Sequence, residues 1–176
     1  MSTEPIGTAG LRDATTEVVR ALVAPTSAPQ PRRVVSGLDG SRIAMMLGVL
    51  ERRAGVRLAT ADCFVATVGG VRLGEPATDM AVALAIASSV SDIALPAGLV
   101  AFGEIGLAGD VRPISSLERR LGEAHRLGFT DAITPTRSLR ARTPSADPPP
   151  GMRVHEVASI QDAIAAAQRL NRRGTP

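Results

Sequence analysis

Two segments carry residue types and spacings that chemistry uses. Gly69 to Asp79 (GGVRLGEPATD) is a Gly-rich turn that enters an apolar run through Pro76. Such a turn at a helix N-terminus offers free N–H groups and a positive dipole end, a natural seat for a nucleophile or an anion. The segment holds no serine, however, and Glu75 and Asp79 would repel a phosphate. The second segment, Leu107 to Arg120 (LAGDVRPISSLERR), is a turn delivering a polar helix start. There Ser115 opens the helix and Glu118, three residues on, completes a capping box. Taken singly, each reads as ordinary loop chemistry.

Other reactive side chains are few. His125 falls late in an amphipathic helix, where the dipole favours a cation, and His155 falls in a short strand. Neither has a second ligand type at metal spacing, so both read as structural. Cys63 heads an apolar strand with nothing local to lower its pKa, and reads as a small buried hydrophobe. All twenty basic residues are arginine; lysine is absent. That excludes a Walker-type phosphate loop, whose lysine reaches the phosphates. It also excludes Schiff-base and serine–lysine chemistry, which need an amine able to lose its proton. A GC-rich genome accounts for the bias, given the abundance of Ala, Gly and Pro, and the consequence is the same.

The elements that position these segments follow from pattern. Residues 1–14 have no periodicity and read as a disordered tail or tag. Residues 15–31 read as a β-branched strand, Thr15 to Val23, then a Pro-rich linker, a joint to a further domain. Residues 32–176 form the body. Its first strand is Arg33 to Ser36. Asp39 caps a helix with Ile43, Met46, Leu47, Leu50 and Ala54 inward, and Gly55 stops it. Cys63 to Val68 is a buried strand. From Thr78, DMAVALAIASS is apolar on every side and must be a central buried helix. Strands follow at Leu99 to Gly109 (with a turn), Val111 to Ile114, Thr130 to Thr134 and Met152 to Val157. Between them lie a helix with Leu117, Leu121 and Ala124 inward and a Pro-rich loop at 137–150. Ser159 caps the final helix. This alternation is that of an α/β fold.

Composition sets the outer limits. The length of 176 residues suits one domain,. Three Phe, with no Tyr or Trp, leave a core of aliphatic side chains and Met. One cysteine forms no internal disulfide, and no apolar stretch is long enough to span a bilayer. The expectation is a cytoplasmic protein without membrane contact. A net charge of +3 permits nucleic-acid binding without requiring it,.

The order of elements and the two segments together resemble the proteolytic domain of the Lon family. In that family a Gly-Pro-Ser-Ala-Gly turn carries the nucleophile at the start of a buried helix. A Gly-x-Val-x-Pro-Ile-Gly-Gly-Leu-Lys segment supplies the lysine that activates it. Here Pro76 matches the proline, which puts Ala77 at the serine position and Asp79 at the last glycine. In the second motif Gly109, Val111, Pro113, Ile114 and Leu117 match, and Glu118 replaces the lysine. Both members of the dyad are absent. Within this superfamily, GLDGSRIAMMLGVLERRAG, VGGVRLGEPATDMAVALAIASS and VAFGEIGLAGDVRPISSLERRLGEAHRLGF resemble the C-terminal Lon-like domain of the bacterial RadA (Sms) DNA-repair family.

The resemblance implies a Lon-type α/β sandwich of the ribosomal protein S5 domain 2-like class, catalytically inactive. It also implies that ATP, Mg and Zn belong to an ATPase core and a zinc finger lying outside this sequence, with no cofactor or metal held here. The implied role is a scaffold that supports a hexameric ring and offers arginines to the DNA backbone during branch migration. The candidates for DNA contact are Arg72, Arg120, Arg119, Arg112 and Arg42. With so few aromatics, base stacking is excluded as the main mode. Two other readings stand beside it. One is an interaction module recruiting partners such as RecA. The other is a divergent peptidase using Thr78 or Ser115 as nucleophile with Glu104 or Asp110 as base.

Overall fold

The computed structural model describes residues 6–9, 16–136 and 148–174, with the side chains of 6–9, 16–18, 173 and 174 left aside. Its seven-stranded sheet runs in the order β3-β4-β2-β1-β5-β8-β9. The strands are β1 Ile6–Ala9, β2 Thr16–Pro25, β3 Arg33–Ser36, β4 Ala61–Thr67, β5 Leu99–Ala101, β8 Asp131–Pro135 and β9 Arg153–Val157. A separate two-stranded hairpin pairs β6 Glu104–Ile105 with β7 Val111–Arg112. The helices are α1 Gly40–Ala54, α2 Asp79–Ser91, α3 Leu117–Arg126 and α4 Ile160–Gly174.

Local chemistry sets the helix ends. The Asp39 carboxylate accepts from the Arg42 N–H at 2.8 Å and so satisfies one of the free donors of α1,. Gly55 closes that helix in the left-handed region at φ 69°, returning its N–H to Leu50 O,. Ser159 accepts from the Asp162 N–H at 3.2 Å at the start of α4. For α2, nine consecutive residues from Asp79 to Ala87 are buried. Alanine at 81, 83, 85 and 87 lets the helix lie close to its neighbours on every side.

Alternation along the strands divides the core in two. Leu99, Ala101, Ile133 and Val157 pack with α1, α2 and α4 on one face of the sheet. Val100, Phe102, Ala132 and Met152 pack with Leu121 and Ala124 of α3 on the other. The helices therefore sandwich the sheet where β5, β8 and β9 lie. This agrees with the α/β reading.

Three expectations from sequence need correction. Residues 6–9, expected within a patternless tail, form β1, paired antiparallel with β2 and parallel with β5. Strand pairing is supplied by backbone groups, so a four-residue segment, Ile-Gly-Thr-Ala, joins a sheet although it is too short to show an alternating pattern. Residues 1–5 and 10–15 lie outside the described residues. In the segment 15–31 the expected strand forms at residues 16–25, but as β2 it pairs with both β1 and β4 and is interior to the sheet, so it belongs to the body and is not a joint preceding it. Finally, the capping box at Ser115 does not form. Ser116 is the residue before α3, at φ 54° and without a side-chain cap bond. Pro113 forces an extended lead-in, and the chain must turn at 115–116 before the helix starts. Of the Pro-rich loop, residues 137–147 lie outside the described residues.

Candidate functional site

The turn before α2 is built from glycine at its start and proline at its end. Gly69 and Gly70 take φ 78° and 72°, a region that residues with a Cβ avoid,. Leu73 then anchors the chain, buried and bridged to Leu38. Pro76 to Thr78 make one 3-10 turn that feeds α2. Ala77, at the position of the family's serine, is 3% exposed. Its carbonyl accepts from Gly103 N at 2.9 Å, and Met80 N donates to Gly103 O at 3.1 Å. The segment after β5 thus lies across the entry to α2 as a short backbone ladder. Thr78 is also buried, and its hydroxyl donates to Glu75 O at 2.8 Å.

Asp79 fills the position of the motif's last glycine. Both of its oxygens accept from the Arg42 guanidinium, each at 2.6 Å, and one also takes the Ile105 N–H at 3.1 Å. Burial pushes the Asp79 carboxyl above its ordinary value, outweighing the help of Arg42 and the Ile105 N–H,. One buried carboxylate therefore joins α1, α2 and β6. Its position at the N-terminus of α2 is also favourable to negative charge.

The second segment meets the first, though not through a dyad. Arg120 on α3 is buried, with a side chain 1% exposed, and forms an ion pair with Glu75 just ahead of Pro76. Its Nε donates to Ser115 O at 3.2 Å. Glu118, at the position of the family's lysine, is exposed in the first turn of α3. In the hairpin, Arg112 pairs with Asp110 at 2.9 Å and with Glu104 at 3.5 Å. Thus both carboxylates considered as bases are held by an arginine, while Thr78 is buried and bonded. Ser115 is exposed.

The arginines singled out from sequence fare differently. Arg120 is corrected: it is interior and committed to Glu75, so no phosphate reaches it. Arg42 and Arg112 are held by carboxylates. Arg72 and Arg119 are exposed, and Arg72 has no hydrogen bond or ion pair among the described residues. The buried status of Arg120 had one sequence signal: it lies three residues after Leu117 and four before Ala124, on the inner stripe of α3.

Sequence reasoning missed the cluster at the start of β8. Asp131, nearly buried, accepts from Arg153 at 2.8 and 2.7 Å and lies 3.0 Å from His155 Nε2. Thr130 donates to it as well, at 3.0 Å. Burial alone would raise the Asp131 carboxyl, but these bonds outweigh it and bring the pKa down to about 2. The cluster ties the edge strand β9 to β8 and lies away from the two segments. His155 is thus placed in a structural ion-pair group. Cys63 is buried and its thiol is pushed up by burial. No group of three metal-ligating side chains forms among the described residues. No helix among the described residues is long and apolar enough to cross a membrane.

Comparison with known proteins gives a consistent set of likenesses. The family model of the Lon protease (S16) C-terminal proteolytic domain matches residues 63–168. Over 152 residues, 86% of this chain, the sequence is 44% identical to a protein of Mycolicibacterium smegmatis named DNA repair protein RadA. Against the protein of that name from Escherichia coli (strain K12), identity is 40% over 152 residues. Against the one from Brucella abortus it is 49% over 132 residues, 75% of the chain. The chain spans about a third of the length of these curated relatives: 31%, 32% and 28% respectively.

Proposed function

Because this chain belongs to the family of Lon protease (S16) C-terminal proteolytic domains, we propose that it serves RadA-type DNA repair as a non-catalytic scaffold. In this reading it supports assembly of a hexameric ring and touches the DNA backbone through exposed arginines, without reading sequence. The observation that carries the non-catalytic part is Ala77. The residue at the nucleophile position has no hydroxyl, is shut off from solvent, and has its carbonyl bonded to Gly103. With Glu118 at the second dyad position and no lysine anywhere, nothing is left to activate a nucleophile there,. The Glu75–Arg120 pair instead fastens the two former motif segments to one another. Architecture replaces turnover.

The relatives' shared name, DNA repair protein RadA, supports the setting, as does a surface whose cations are all guanidinium groups suited to phosphate oxygens,. The test has two arms. Light scattering of the purified chain at rising concentration measures self-association, where growth towards a hexamer is expected. A casein or fluorogenic-peptide assay is expected to stay at the blank. Turnover that disappears in Thr78→Ala would restore the peptidase reading. Recruitment of RecA is a second role compatible with the first, and pull-down by the isolated chain tests it.

A further inference from the structure

The sheet is covered unevenly. All its strands run one way except β2, and sheets of mainly parallel strands normally carry packing on both faces. On one face this one does: Val19, Ala21, Cys63 and Val65 join the core of α1, α2 and α4. On the other face α3 covers Val100 and Ala132. The stretch β3-β4-β2 of that second face is different. There Leu22, Phe64 and Val34 stand in register across three strands, and none belongs to either core cluster. Val34 is 48% exposed, and Val68 and Val71 add exposed apolar surface just past the end of β4. These three valines are half of the six large apolar residues exposed among the described residues. Scattered singly they would need no explanation, but gathered in one place they are the sign of a docking surface.

The most exposed of the six, Leu107 at 68%, lies on the helix side of the sheet, opposite Val34. It tops the turn between β6 and β7, which is closed by Gly106 N to Asp110 O and Gly109 N to Gly106 O, each at 2.9 Å. Gly109 O accepts from Ile160 N at the start of α4, and Val111 N donates to Ala158 O, both at 2.9 Å. Gly109 also lies against the stem of Arg53 near the end of α1. The hairpin is thus fastened to the helix layer, and an apolar side chain on such a fixed base loses little freedom on docking. The charges beside the two patches differ in sign. Arg20, opposite Ala66 in register, is exposed and has no hydrogen bond or ion pair among the described residues. The hairpin carries two carboxylates, Glu104 and Asp110, against one arginine, Arg112.

We infer that a second copy of this chain docks head to tail, the Leu107 hairpin of one copy seated on Leu22, Phe64 and Val34 of the next. The inference rests on the proposed ring assembly and gives the ring an interface. A contact between two different patches on opposite sides repeats from copy to copy and closes into a ring where the rotation allows. A face that paired with itself would stop at two copies.

The experiment is light scattering over a concentration series of the parent chain, Val34→Glu, Leu107→Glu and an equimolar mixture of the two variants. Circular dichroism checks each fold, and Val34→Ser or Leu107→Ser replaces a glutamate variant that does not fold. Each variant alone is expected to associate at least about tenfold more weakly than the parent, because an unpaired carboxylate is pressed against apolar surface. The mixture should form a dimer and grow no further, since only the intact hairpin of Val34→Glu and the intact face of Leu107→Glu can meet. If the parent assembles and either variant assembles equally well, the interface is overturned while the ring stands. A mixture that stays monomeric also overturns it, because head-to-tail contacts must complement. If the parent itself stays monomeric at every concentration, ring assembly by this chain and its interface fall together.

Discussion

Replacing Asp131 with asparagine keeps the shape of the side chain and removes the charge on which Arg153 and His155 converge. The carboxyl is brought from 3.8 to about 2 in the folded chain. At 1.36 kcal/mol per unit, that shift corresponds to at most about 2.4 kcal/mol of stability at neutral pH. Arg153, however, is 67% exposed, and water screens its share of the pair,. The expected loss at pH 7 is therefore about 1–2 kcal/mol. The sign fixes the pH window. A carboxylate with a depressed folded pKa stabilises fully above its unfolded pKa and loses that benefit as pH falls through the folded one. The effect should thus be whole above about pH 4, about half as large at pH 3, and nearly gone at pH 2. Urea unfolding of the parent and Asp131→Asn, at pH 7 and pH 3, measures the difference directly. A loss that is equal at both pH values would show that the charge of the carboxylate is not what holds β9 to β8.

Two further outcomes follow from the buried groups. Arg120→Met should destabilise the chain by about 2–3 kcal/mol in urea, below the range for fully buried pairs because Glu75 is 36% exposed,. Glu75→Gln should cost less, since it keeps an acceptor for the guanidinium. Equal, negligible losses in both would mean that the ion pair does not hold the two segments together. The double variant Ala77→Ser/Glu118→Lys restores the residue types of the family's dyad. It should nevertheless leave peptide hydrolysis at the blank, because position 77 is covered by the Gly103 segment. Measurable cleavage would show that the closure is not what silences the site.

Much of the molecule was legible because several signals coincide. The buried helix announced itself by an apolar run without a polar face, and Asp39 and Gly55 marked both ends of α1 by their own chemistry. The two segments stood out by their residue types, and Ala77 and Glu118 were located by the resemblance to the Lon family's motifs. What escaped was long-range pairing. Residues 6–9, Ile-Gly-Thr-Ala, are too few to show a periodic pattern, and the strand's hydrogen bonds come from the backbone of β2 and β5. Ser115 and Glu118 satisfy the spacing of a capping box, yet the turn imposed after Pro113 moves the helix start to Leu117. The arginines were legible as a composition but not as a surface. Whether one is held by a carboxylate, like Arg42, or buried against one, like Arg120, depends on residues 37 to 45 positions away in sequence, at Asp79 and Glu75.

The pairing of β1 has a mechanical meaning. The sheet consists of two halves, β3-β4-β2 and β5-β8-β9, and the four residues of β1 are the seam between them. On the β5 side the seam is held at Gly7 and Val100. What bolts the halves together is α2, which lies against β2, β1 and β5 in turn. Local opening should begin at this seam, so that amide protons of β1 exchange long before those of β4 or β8. The apolar helix whose counterpart in the family carries a nucleophile would then be the part that keeps one sheet from becoming two.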